Sequence, residues 1–271
     1  PEGHRAHDLY ENSTPVHPEG YLTDLFSQKA VAFIKQKHSK PFFLTLTYNA
    51  PHWPWLGPND QPYADSVDFR KGGSAATYAA MIKRLDEGIG HVLKTLDEEQ
   101  LSGQTIVIFT NDNGGERHSD NGGLAKAKSA LWEGGIRVPA FVRWPGKIDA
   151  GNTTQQVAVT MDWTKTILSA GGATAHKDFS LDGIDLMPIL TGKKAVVQRT
   201  IYWRTSQRIK QKAIRMGDWK YLQDEKGEYL FNLTADREEK NDLKAEQQAI
   251  FNRLKKKYTD WEKTVLPPNP L

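Results

Sequence analysis

Asp112 and Asn113 stand side by side just past an apolar run, Thr105-Ile106-Val107-Ile108-Phe109, and Gly114-Gly115 follow them. One carboxylate and one amide oxygen are hard donors suited to Ca²⁺ or Mg²⁺, and two glycines let adjacent side chains turn toward one point. Two donors fall well short of the roughly six to eight oxygens that Ca²⁺ takes, and a bare Asp-Asn-Gly-Gly is more often a turn. His52 follows a second apolar run, Phe42 to Tyr48, between Pro51 and Trp53. It reads either as a donor to an oxyanion or general acid, or as a loop histidine packed on tryptophan. Lys128 lies in a loop of small residues, where its cation suits a sulfate or phosphate oxygen, or plain solvent. His118 and Lys126 are weaker candidates in the same stretch.

These groups need a scaffold, and the hydrophobic periodicity outlines one. Thr23 or Asp24 can cap a helix whose inward positions are Leu25, Ala30, Phe33 and Ile34. Phe42 to Tyr48 reads as a buried strand. Tyr78, Met81, Ile82, Leu85, Ile89, Val92, Leu93 and Leu96 recur at spacings of three and four, the strongest helical signal in the chain. Thr105–Phe109 and Val138–Val142 read as further strands, and Asp162 caps a helix ending at Gly171-Gly172. This alternation predicts an α/β domain over residues 1–199 with a mostly parallel sheet and flanking helices. Ligands then gather at the strands' carboxyl ends, where all three candidate segments lie. Residues 200–271 read differently: four short strands with tight turns at Gly217-Asp218 and Lys226-Gly227, then an amphipathic helix carrying Leu243, Ile250, Leu254, Tyr258 and Trp261. That predicts a small antiparallel-sheet α+β subdomain.

Composition narrows the function. The 271 residues carry 36 Lys+Arg against 33 Asp+Glu, a net charge of +3, which argues against a nucleic-acid binder. Cysteine is absent, so disulfides, thiolate metal sites and cysteine nucleophiles are excluded. No apolar run approaches the ~20 residues of a membrane span. Arg204, Arg208, Lys210, Lys212 and Arg215 form a basic run that reads as a solvated face, or as a surface for an anionic glycan.

In order and spacing the segments resemble the C-terminal part of the type I sulfatases, of the alkaline-phosphatase-like superfamily. The resemblance is carried by Pro41-Phe42-Phe43-Leu44 running into Tyr48-Asn49-Ala50-Pro51-His52, by Thr110-Asn111-Asp112-Asn113-Gly114-Gly115, and by Lys128 through Pro139. Gly217-Asp218-Trp219-Lys220-Tyr221 and Tyr229-Leu230-Phe231-Asn232-Leu233 extend it downstream. It implies an alkaline-phosphatase-like fold and hydrolysis of sulfate esters on a sulfated small molecule or glycan. It assigns Asp112 and Asn113 to a divalent cation, Ca²⁺ or alternatively Mg²⁺, and His52 and Lys128 to the sulfate group. His118 would contact substrate, while Glu133 and Arg137 would hold their loop in shape. Periplasmic or extracellular placement is the family habit.

One departure is large. The family's nucleophile is a formylglycine made in a Cys/Ser-x-Pro-x-Arg motif. The nearest match here, Ser13-Thr14-Pro15-Val16-His17, ends in His and lies in the wrong place. The formylglycine is therefore expected in an N-terminal half outside this sequence, together with further metal-binding aspartates. Alone, the chain is expected to be inactive and to bind Ca²⁺ weakly, with its exposed strand edge pairing with that half or with a second copy. The competing readings are a phosphoric or phosphonic ester hydrolase on the same scaffold and a non-catalytic sulfatase-like module.

Overall fold

The computed structural model describes residues 9–61, 72–205 and 209–265. The chain forms two compact units, residues 1–105 and 106–271.

In the first unit, β1 (Tyr10–Glu11) and β2 (Thr14–Pro15) form a small antiparallel hairpin. Two helices dominate the rest, α1 (Leu22–Ile34) and α2 (Ala75–Glu98). The Ser74 hydroxyl caps α2 by accepting from the Thr77 backbone. As the periodicity predicts, Met81, Leu85 and Leu96 are buried on α2, although Ile82 faces out. On α1 the fully buried positions include the small polar Thr23 and Ser27, while the expected Leu25 and Phe33 are only half buried. Close approach explains this. A Cβ on Gly88 of α2 would fall on Ser27 Oγ, so only small side chains fit there. Ser27 stays satisfied by donating to the Thr23 carbonyl at 2.8 Å, which leaves it to accept from the Tyr48 hydroxyl at 2.8 Å. Arg84 joins the helices at their edge with a two-pronged bond to Asp24, 2.6 and 2.7 Å.

The expected strand over Phe42 to Tyr48 differs in the structure. The segment is extended and alternates between half-buried and exposed residues, with Phe43, Thr45 and Thr47 outward. It makes no backbone hydrogen bond to another described residue and pairs with none of the strands. A strand exists only as far as its hydrogen-bonding neighbours do, and an apolar run by itself does not supply them.

The second unit holds β3 (Val107–Thr110), α3 (Glu133–Ile136) and β4 (Ala140–Arg143). β3 and β4 pair antiparallel, Ile108 opposite Val142, so the parallel pairing expected of this region is not formed among the described residues. Next come α4 (Thr160–Ala170) and α5 (Met187–Leu190). Asp162 does cap α4, though from inside its first turn: Oδ2 accepts from the Val159 backbone at 2.7 Å. Its other oxygen accepts from Ile184 N at 2.8 Å, and Arg199 Nη1 sits 2.6 Å from Oδ2. Asp162 is fully buried, so this one carboxylate ties the 181–186 segment and the approach to the following sheet onto α4.

The change expected near residue 199 is a change of topology within this unit. A four-stranded antiparallel sheet runs β5 (Thr200–Thr205), β6 (Gln211–Met216), β7 (Trp219–Asp224) and β8 (Gly227–Asn232) in spatial order. α6 (Gln248–Glu262) follows. Leu243, expected inside that helix, lies ahead of it and donates its N–H to the Leu230 carbonyl at 2.8 Å. The twofold alternation of side chains gives the sheet two dry faces. Ile214, Tyr221 and Leu230, aligned across β6, β7 and β8, pack on Leu254 and Tyr258 of α6. Ala213, Leu222 and Phe231 face the other way, onto Leu131 and Trp132. Among the described residues no helix is long and apolar enough to cross a membrane.

Replacing Asp162 by Ala strands two backbone donors and a largely buried guanidinium. The expected loss is about 3–5 kcal/mol in chemical denaturation, against under about 1 kcal/mol for Lys29→Ala at the exposed pair with Glu11. Equal effects from the two substitutions would contradict this account of Asp162.

Candidate functional site

Two glycine-rich loops of the second unit are laced together by their backbones. Gly114 N donates to the Gly135 carbonyl at 2.8 Å, Gly134 N to the Ala125 carbonyl at 2.8 Å, and Lys128 N to the Gly115 carbonyl at 2.9 Å. The approach is close enough to exclude side chains. A Cβ on Gly114 would fall on the Gly134 carbonyl oxygen, and one on Gly134 would meet the carbonyls of Ala125 and Lys126. The glycines here provide space rather than unusual dihedrals. Besides Gly122 and Gly123, three non-glycine residues between them also stand at positive φ: His118 (72°), Lys126 (62°) and Ser129 (76°). Such residues persist only where their surroundings over-determine them. The lacing ties the backbone of Lys128 to Gly115, in the turn that Asp112 and Asn113 begin.

A residue the sequence reading missed completes the clamp. Asn121 Oδ1 accepts from Gly115 N at 3.0 Å, and its Nδ2 donates to the Lys126 carbonyl at 3.3 Å. The signal was present: Asp120-Asn121-Gly122-Gly123 repeats the tetrapeptide Asp112-Asn113-Gly114-Gly115. In the second copy Asp120 accepts from Gly122 N at 2.8 Å, the turn use of this motif, while its asparagine grips the first copy.

Beneath the loops lies the sheet. Leu131 and Trp132 dock on Ala213, Leu222 and Phe231, and Leu131 N donates to buried Gln211 at 2.6 Å. Trp132 Nε1 donates to Asp224 at 3.1 Å, and Lys126 lies 5.9 Å over the Trp132 ring, which occupies this lysine structurally. Glu133, at the start of α3, is buried with Lys220 and Glu239. Burial pushes the Glu239 carboxyl above its ordinary value even though the Lys220 ammonium pulls it down. Arg137 reaches Glu133 at 3.5 Å, in keeping with the loop-shaping role that the resemblance gives both.

Asp112 is exposed at the turn, and Asn113 is half buried with its Nδ2 donating to the Gly114 carbonyl at 2.8 Å. That bond turns the Asn113 amide so that its oxygen remains available as an acceptor. A carboxylate and an amide oxygen fit a hard divalent cation chemically, as part of a shell. No cluster of three or more His, Asp or Glu placed to hold a metal occurs among the described residues. Lys128 is half buried, and among the described residues its ammonium makes no hydrogen bond or ion pair. His118 is half buried on the turn after Gly115.

His52 belongs to the first unit, in a loop where its own N–H donates to the Asn49 carbonyl at 2.8 Å. Its ring lies 4.5 Å from that of Trp53, so the packing reading holds. Its Nδ1 lies 2.7 Å from the Trp53 carbonyl, which can only accept, so Nδ1 carries a proton and Nε2 is the outward nitrogen. His52 is exposed; it accepts at Nε2 when neutral and donates there when protonated. The basic run is largely paired internally: Lys212 meets Glu262 at 2.7 Å, Arg204 the same carboxyl group at 4.0 Å, and Arg215 donates to the Gly217 carbonyl. Arg208 lies outside the described residues.

Comparison with known proteins gives this geometry a family. Residues 2–173 match the sulfatase model, and residues 126–264 match the model of the N-sulphoglucosamine sulphohydrolase C-terminal region. The uncharacterized sulfatase YdeN of Escherichia coli is 33% identical over 73% of this chain and 36% of its own length. Human N-acetylgalactosamine-6-sulfatase is 33% identical over 69% of this chain and 35% of its own. Among solved structures, Ps i-CgsB, also crystallised with k-i-k-neocarrahexaose, superposes with a TM-score of 0.79 and 29% identity, over 92% of this chain and 56% of that one. The chain thus spans about a third of the curated relatives it matches. It belongs to the sulfatase family, with that family's alkaline-phosphatase-like fold.

Proposed function

We propose that this chain supplies the cation-holding turn and a sulfate-facing lysine of a sulfuric ester hydrolase whose formylglycine nucleophile lies on polypeptide outside this sequence. The observation that carries the reading is the backbone lacing of Asp112–Gly115 to Lys128, in a chain of this family. Asp112 and Asn113 Oδ1 would hold Ca²⁺, or alternatively Mg²⁺. Such a cation, when bound, withdraws charge from a sulfate oxygen and its reaction partners. Lys128, whose backbone is tied to Gly115 and whose ammonium is unpaired among the described residues, would neutralise charge that builds on the sulfate oxygens or on the departing alkoxide. His52 donates from Nε2 to an oxyanion only as the imidazolium, and as the neutral ring it can take a proton there. No nucleophile is assigned within the chain, so no covalent step is assigned to it alone.

A sulfated glycan is the substrate class we favour. It is supported by a relative named for a sulfated amino sugar and by a structural neighbour crystallised with an oligosaccharide. The extended Phe42–Tyr48 segment, with its backbone groups unpaired among the described residues, is proposed to take a strand from the outside polypeptide.

Three outcomes follow. The purified 271-residue chain is expected to release no product from an aryl sulfate and to bind Ca²⁺ only in the roughly millimolar range or weaker by calorimetry. Measurable turnover would refute the division of labour. In the complete enzyme, Lys128→Ala should lower kcat/KM toward a sulfate ester by about 10²–10³-fold; an effect under about threefold would remove Lys128 from the chemistry. In light scattering, adding the outside polypeptide should convert self-associated chain into a one-to-one complex. A clean monomer that ignores the addition would count against strand pairing.

A further inference from the structure

We infer that Lys220, together with Glu133 and Glu239, is the positioning cluster that sets Lys128 against the Asp112–Asn113 turn; this rests on the reading of Lys128 given above. Lys220 Nζ lies 2.9 Å from Glu133 Oε1 and 2.7 Å from Glu239 Oε1, and Glu239 Oε2 accepts from Glu133 N at 2.6 Å. The three residues are 0%, 3% and 5% exposed. From this cluster to Lys128 every link is a peptide bond or a hydrogen bond. Glu133 leads into Gly134 and Gly135; the Gly135 carbonyl accepts from Gly114 N; the next residue's carbonyl, Gly115, accepts from Lys128 N.

Stability alone does not account for such a cluster. Desolvation offsets most of the attraction of a buried ion group, and well-packed apolar side chains often serve stability as well. The raised Glu239 carboxyl shows that offset directly. Direction comes instead from the charged hydrogen bond of Lys220 to Glu133 Oε1 and from Glu239, which pairs with Lys220 as an ion and fixes the Glu133 backbone N–H through its other oxygen, together orienting the start of α3. Leu131 and Trp132 anchor the loop to the sheet ahead of α3, through apolar packing and their bonds to Gln211 and Asp224, and the Lys220 cluster fixes the turn that follows them. The strained residues are those that need a fixed register. Lys126 and Ser129 flank Lys128 at positive φ, and Glu239 is itself at 56°. Lys220 owes its place to strand register: it lies opposite Arg215 and Phe231, on the face that Leu131 and Trp132 cover.

The test is amide hydrogen exchange on the full 271-residue chain carrying Lys220→Met. The amides of Lys128, Gly114 and Gly134 should exchange about tenfold faster or more, while those of Ile214 and Leu230 in the sheet stay within about twofold. Equal acceleration of both sets would reduce the cluster to a stability element, and unchanged exchange at Lys128 would break the link; either overturns the inference. Should Lys220→Met fail to fold, Glu239→Gln, which keeps the Lys220–Glu133 pair, is read by the same criteria. No sulfate ester enters this experiment. Failure of the catalytic reading would appear in the Lys128→Ala kinetics and not in these rates.

Discussion

The closeness of two peptide backbones governs this molecule. Where Gly114 meets Gly134, and Gly134 meets Ala125 and Lys126, there is no volume for a single methyl group. Hydrogen bonds between the loops can form only at that separation, and they tie the backbone of Lys128 to Gly115, two residues beyond Asn113. Because interiors are close-packed, such a junction has no soft direction in which to relax. Everything around it serves to keep the two loops at that distance.

The sheet of β5 to β8 contributes most to this. It is a middle layer with α6 on one face and the lysine loop on the other, so a single strand such as β7 serves both through alternate residues. Burial gives its polar contacts weight. Exposed pairs such as Lys94–Glu98 and Lys256–Asp260 lie on helix surfaces, where solvent and salt leave them little net effect. The Lys220 and Asp162 groups have no such screening, and removing one partner leaves the others charged and dry.

The sequence made some of this legible and hid the rest for identifiable reasons. The amphipathic stripe of α2 and the four-stranded meander were readable, because each follows from periodicity and turn residues within a short window. Phe42 to Tyr48 was read as a buried strand, yet composition reports only a preference for extended backbone, not who supplies the hydrogen bonds. Lys220 lies within the Gly217–Tyr221 stretch that carries the family resemblance, but nothing in the sequence gives it a role. In Trp219-Lys220-Tyr221-Leu222 it resembles the solvent-facing member of an alternating strand, and only a third layer from residues 125–135 buries it. Asn121 was overlooked although its tetrapeptide repeats that of Asp112. Identical words do different work here, one in a close backbone junction and one in a turn with Gly122 and Gly123 at positive φ. Asp112, Asn113 and Lys128 are ordinary residue types for such loops and gain a specific role only through the family resemblance; the backbone bonds that lace their loops are long-range and invisible to local pattern.

The alternation along Phe42 to Tyr48 also bears on how the chain survives in solution. Its outward side chains are one aromatic, Phe43, followed by Thr45 and Thr47. A ribbon whose amides find no partner among the described residues, bearing three aromatics in a row, would be prone to zip into fibrils; hydroxyl groups at the two outward positions after Phe43 interrupt the greasy stripe. The two threonines therefore act as gatekeepers, lowering the tendency of the ribbon to stack on copies of itself.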